Sequence, residues 1–100
     1  MQPTPEYSVL EYTLADDYLE RRAALRADHL ALARAAHERG ELLLAGALPD
    51  PYDRALLVWI APREVVERFV EQDPYVVQGL VTGWTVRPWN VAVGGSSGAA

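Results

Sequence analysis

From Glu6 to Leu14 the chain changes character at every second position. Ser8, Leu10, Tyr12 and Leu14 alternate with Tyr7, Val9, Glu11 and Thr13, and this two-residue period predicts a strand. Asp16 and Asp17 follow, with Glu20 three residues after Asp17, a box-like helix start. The spacing of Leu25, His29, Leu32, Ala33 and Ala36 then puts one stripe on a helix running to about Arg39, with a break expected near Ala24–Ala27. Gly40 is the stop, because glycine takes positive φ without a steric penalty.

Glu41 to Leu48 is strongly apolar and reads as a second strand. Residues 49–53 (Pro-Asp-Pro-Tyr-Asp) form a turn cluster. Arg54 to Ile60 contains Leu56, Leu57, Val58, Trp59 and Ile60 in succession, the mark of a central strand apolar on both faces. Pro62 suits the first position of a helix whose buried face is Val65, Val66, Phe69 and Val70. Arg63–Glu67 and Glu64–Arg68 are spaced to pair on its wet face. Asp73-Pro74 halts that helix, since proline lacks an amide donor and pushes its predecessor out of the α region. Another helical turn is expected over Tyr75–Gly79, then a fourth strand from Val81 to about Val93, with Pro88 marking an edge.

The order β-α-β-β-α-β, with right-handed crossovers, predicts an α+β, ferredoxin-like protomer. Its four-stranded antiparallel sheet has the order 4-1-3-2. Residues 1–93 are expected to form a single domain, and the Gly/Ser/Ala-rich residues 94–100 a flexible tail. Two helices cover one face of such a sheet. The other face, apolar on strands two and three, predicts a homodimer with the sheets face to face.

Composition narrows the function classes. The chain has 100 residues, no cysteine and a net charge of −5, so disulfides, thiolate catalysis and cysteine-bound metals drop out. All nine basic residues are arginine. An acidic chain without a basic run argues against nucleic acid and anionic membranes as partners. Met1–Pro5 has neither the basic patch nor the apolar core of a signal peptide, and no apolar run approaches the roughly 20 residues of a membrane span. A cytoplasmic location is the expectation.

The candidate chemistry centres on His29 and Asp73. His29 lies inside an apolar stripe, where a histidine is either a satisfied core residue or a functional one. A buried imidazole needs a partner, and Asp73, fixed at an irregular junction, is the best placed. An aspartate before proline also serves simply as a turn former. If the two meet, the carboxylate orients the ring for general acid–base work. No serine is placed for a hydrolytic triad: Ser8 lies in a strand, Ser96 and Ser97 in the tail. His29 and His37 are two turns apart, too far to share one ion, so no metal is expected, and no cofactor. Arg26, one turn before His29, is a candidate anion contact or a solvated surface charge. Tyr75, Trp59, Trp84 and Trp89 are candidates to wall a pocket for a flat ring or to pack a core or dimer interface.

Four segments together resemble the YciI-like (YCII-related) family. They are Arg26-Ala27-Asp28-His29-Leu30, residues 40–46 (Gly-Glu-Leu-Leu-Leu-Ala-Gly), Asp73-Pro74-Tyr75 and Val86-Arg87-Pro88-Trp89. The resemblance covers about Glu6 to Val93. It implies a dimeric α+β barrel of ferredoxin-like protomers and a site around a histidine and an aspartate that fall on His29 and Asp73. Arg26 matches the arginine that often precedes that histidine. Some relatives are linked to eliminating halide from chlorinated hydroxyquinones.

The expected function is a small-molecule enzyme of elimination, isomerisation or lyase type, with His29 and Asp73 catalytic and Arg26, Tyr75 and Trp89 contacting the substrate. The alternative is a non-catalytic ligand-binding or interaction module of the same fold.

Overall fold

The structure is a computed structural model that describes residues 6–95. The proline-bearing lead-in at 1–5 and the part of the expected tail at 96–100 lie outside the described residues. The elements run β1 (Tyr7–Leu14), α1 (Tyr18–Glu38), β2 (Leu42–Leu48), β3 (Arg54–Ile60), α2 (Arg63–Gln72), the one-turn α3 (Pro74–Val77) and β4 (Val81–Trp89). The strands form one antiparallel sheet in the order β2-β3-β1-β4, the expected 4-1-3-2 read from the other edge.

The alternation in β1 does what its period demands. Leu10, Tyr12 and Leu14 are buried together with Leu57 and Trp59 of β3, Val86 of β4 and the helical residues Ala33, Ala36, Val66, Phe69 and Val70. Trp59 meets Phe69 edge-on, with centroids 5.0 Å apart. Each fully buried large apolar side chain contributes roughly 1.5–3 kcal/mol.

Helix α1 is continuous over 21 residues, without the break expected near Ala24–Ala27. Ala24, Leu25, Arg26 and Ala27 are all strong helix formers, and no glycine or proline interrupts them. The capping box is not made either. Asp17 precedes the helix without a side-chain cap bond, and its carboxylate lies 3.6 Å from Arg21 instead. The C-terminal end behaves as expected. Gly40 has φ of 82°, its amide donates to His37 O, and the Glu41 amide reaches back to Ala36 O. This double closure needs a left-handed residue at Gly40.

Strand β4 ends at Trp89, four residues short of the expected Val93. Trp89 pairs with Tyr7, the first residue of β1, so the ladder stops where its partner begins. The register puts Tyr7, Val9 and Glu11 on the sheet face away from the helices, beside Trp89, Arg87 and Thr85. Leu44 and Val58 share that face. Leu44 and Trp89 are 66% and 50% exposed there, so the described residues leave part of this face uncovered. Among the described residues no helix is long and apolar enough to cross a membrane.

Candidate active site

Asp73 ends α2 and caps α3 at the same time. Its backbone is extended, with φ −68° and ψ 118°, as the following proline requires. Its side chain accepts from the Tyr75 amide at 3.0 Å. That turn swings the carboxylate inward, where it is fully buried.

Two more donors meet it there. His29 Nδ1 lies 2.8 Å from Oδ1, and Tyr12 Oη donates to Oδ2 at 2.7 Å. An ionised carboxylate only accepts, so the His29 proton on this side belongs to Nδ1. Three donors from three elements (β1, α1 and α3) therefore converge on one buried acid. Such charge-assisted bonds are shorter and stronger than neutral ones, and they compensate the burial of the carboxylate. Burial and the adjacent Asp73 carboxylate push the Tyr12 phenol far above its ordinary value. Tyr12 is thus a donor at any physiological pH.

Tyr75 holds the imidazole from a second direction. The two rings are stacked, with centroids 3.8 Å apart and planes 5° from parallel. Tyr75 meets Tyr18 edge-on at 6.0 Å, and Tyr18 lies 6.2 Å from Tyr52 in the β2–β3 turn. These rings wall a cavity of about 230 Å³ between α1 and the β2 side of the sheet. The space exists because β2 supplies Ala45, Gly46 and Ala47 to that wall, and small side chains cannot fill it.

His29, Arg26 and Tyr75 all border this cavity, with Asp73 behind His29. Four of the five residues expected at the site are therefore brought together. Trp89 is not among them: it pairs with Tyr7 on the opposite sheet face. Two-residue alternation leaves Val86 pointing at the core and Trp89, three positions on, pointing away. Trp59 is core, and Trp84 pairs with Tyr12 on the helix side of β4. His37 turns elsewhere, its Nδ1 lying 2.7 Å from Leu42 O. Among the described residues no group of His, Cys, Asp or Glu side chains gathers to hold a metal.

The YCII-related domain matches residues 6–90. The chain belongs to the YCII-related family. Its relatives include the proteins named YciI of Escherichia coli O6:H1 and of Shigella flexneri. Each is 30% identical over 83 residues, an alignment spanning 73% of this chain and 85% of the relative. Among solved structures it resembles 5-chloro-2-hydroxyhydroquinone dehydrochlorinase from Burkholderia phenoliruptrix, in complex with 2,5-dihydroxybenzoquinone. The TM-score is 0.73 at 20% identity, over 86% of this chain and 95% of that one. At that identity the likeness establishes the fold.

In this YCII-related chain four cavity residues escaped the sequence reading: Tyr12, Tyr18, Arg22 and Tyr52. The signal for three of them was present. Tyr12 shares the inward face of β1 with Leu10 and Leu14. Tyr18, Arg22 and Arg26 are spaced by four and lie on one helical stripe with His29. Nothing local marks Tyr52, which reaches the cavity because the turn folds back over the N-terminal end of α1.

Proposed function

We propose that this chain is a small-molecule enzyme of acid–base type, with His29 as the proton-transferring group and Asp73 as the residue that orients it. The observation that carries the proposal is the 2.8 Å contact between His29 Nδ1 and a fully buried carboxylate, at the edge of a cavity. With Nδ1 committed to Asp73, Nε2 is the ring nitrogen left to work on a ligand. Asp73 holds the ring in the orientation in which Nε2 can take a proton.

An elimination then balances within one substrate. Nε2 removes a proton from carbon, the C–H electrons form the new double bond, and an anion departs from the adjacent carbon. The dehydrochlorinase of similar fold, named for a chlorinated hydroxyhydroquinone, supports this reaction class for the architecture. An isomerisation uses the same base and returns the proton elsewhere. Arg26 and Tyr75 stand as substrate contacts.

The test is a screen of small cyclic enols and halogenated hydroxyquinones with wild type and His29→Gln. A loss of about 10²–10⁴ in kcat with the fold intact is expected. Turnover that survives the substitution unchanged overturns the assignment. Binding of a ligand without turnover by wild type would favour the alternative, a non-catalytic binding module.

The working form of the enzyme is a homodimer joined through the open sheet face. Leu44, Val58 and Trp89 gather there around a shallow cavity of about 710 Å³. Mass measurement by light scattering reads the assembly directly, and Leu44→Asp is expected to weaken it. A wild-type monomer at micromolar concentration would refute it.

A further inference from the structure

The cavity wall carries a charge signature that general acid–base chemistry does not require. Its titratable side chains are His29, Arg22, Arg26 and four tyrosines, with no carboxylate among the lining residues. Among the described residues four other arginines meet carboxylates, Arg21 with Asp17, Arg39 with Glu41, Arg54 with Glu11 and Asp53, and Arg63 with Glu67, while Arg34, Arg68 and Arg87 do not. Arg22 and Arg26 form no ion pair among the described residues. In a chain of net charge −5, Arg22 and Arg26 bring two guanidinium groups without a carboxylate partner to one cavity.

Arg22 is also held in place. Its Cζ lies 5.6 Å from the Tyr18 ring centroid and 6.0 Å from that of Tyr52. Contact with ring faces fixes a guanidinium while leaving its N–H donors unspent. Tyr75 supplies an independent observation. Its side chain is 3% exposed, and its hydroxyl is buried with no hydrogen-bond partner. A buried hydroxyl without a partner is costly, and each such group calls for an explanation. Tyr18, Arg22 and Arg26 are near enough to act on this phenol electrostatically, and Arg26 stands within hydrogen-bonding reach of it without a well-formed bond between them. Burial and the nearby Tyr18 phenol push it above its ordinary value, which keeps it a donor, while the charges of Arg26 and Arg22 and the hydrogen-bonding reach of Arg26 pull the other way.

From these observations we infer that the cavity selects a planar, monocyclic ligand bearing one anionic oxygen, such as a ring carboxylate, phenolate or enolate. Arg22 and Arg26 supply the countercharge, and Tyr75 Oη donates to the same ligand. The size fits: an apolar cavity of about 150 Å³ accommodates benzene, and this one measures about 230 Å³. The aromatic wall of Tyr18, Tyr52 and Tyr75 suits the faces of a flat ring. Arg22 and Tyr52 become specificity-determining residues, binding the ligand without moving its protons. The inference rests on the cavity being the substrate site proposed above, but not on His29 being the base.

Benzoate and benzamide share a shape and differ in charge, so they separate the two ideas. Titration of each into the full chain, followed by ¹H–¹⁵N chemical shifts or calorimetry, is expected to show benzoate binding at least about tenfold more tightly. Arg22→Gln should bring benzoate to the level of benzamide. Tyr52→Leu, which leaves the charge but removes one ring from beneath it, should lower benzoate affinity by a few-fold. His29→Gln should leave the preference in place, so a chain that prefers benzoate but never turns over would lose the catalytic reading and keep this one. Equal affinity for the two probes, no detectable benzoate binding, or an Arg22→Gln variant that binds benzoate like wild type would each overturn the inference. Circular dichroism confirms that the variants are folded.

Discussion

Replacing Tyr12 by phenylalanine removes one oxygen atom from the middle of the molecule. The lost bond runs from a side chain 1% exposed to a carboxylate 0% exposed, at 2.7 Å. Hydrogen bonds to a charged partner contribute about 1.5–3 kcal/mol, and water cannot reach Asp73 Oδ2 to replace this one. Tyr12→Phe is therefore expected to lower stability by about 2 kcal/mol near pH 8. The pH dependence gives a second signature. Folding raises the Tyr12 pKa, so the folded chain keeps a proton that the unfolded chain releases near pH 10. The hydroxyl's contribution is complete below about pH 10 and declines above it, by about 1.4 kcal/mol per pH unit, until the folded phenol itself ionises. The stability difference between wild type and Tyr12→Phe should thus narrow between pH 10 and 11. Urea unfolding followed by tryptophan fluorescence, at fixed protein concentration and at several pH values from 8 to 11, measures both effects. A difference under about 0.5 kcal/mol at pH 8, or one that stays constant to pH 11, would refute the account of a buried phenol serving a buried acid.

Three further outcomes are expected. Asp73→Asn offers one carbonyl oxygen where three donors now converge, so at least one buried donor loses its acceptor. Stability should fall by about 1–3 kcal/mol, and any turnover should fall with it because the imidazolium loses its countercharge; a kinetically normal variant would make Asp73 purely structural. Gly40→Ala meets no atom within 4 Å of the added Cβ but must hold φ of 82°. Its cost, about 1 kcal/mol, should come from backbone strain alone, read as a melting-point drop of several degrees. Leu10→Ala removes a fully buried side chain and should cost about 2–5 kcal/mol in the same urea assay.

The element order and the inward stripe of α1 were legible in the sequence because each follows from a local period, and the sheet order followed from that element order with right-handed crossovers. Alternation assigns Leu10 and Leu14 to one face whatever lies opposite them. Asp73-Pro74 breaks a helix wherever it occurs, and Gly40 ends one. The errors have local causes too. The break expected near Ala24–Ala27 does not occur, because Ala24, Leu25, Arg26 and Ala27 are all strong helix formers. The end of β4 was out of reach from β4 itself, since Trp89 is last only because Tyr7 is the first residue of its partner strand.

The site divides along the same line. Sequence alone placed His29 on the buried side of a helix and fixed Asp73 at a junction where its carboxylate can point in a direction no helix would allow. Those are consequences of a few neighbouring dihedral angles. Tertiary structure decided that the two groups meet, that Tyr12 completes the contact 61 residues from Asp73, and that Tyr52 closes the wall beside Arg22. The far-face placement of Trp89, by contrast, follows locally from the two-residue alternation after Val86. Distances between groups so far apart in the chain are set by how the sheet and helices pack, and no local period encodes them.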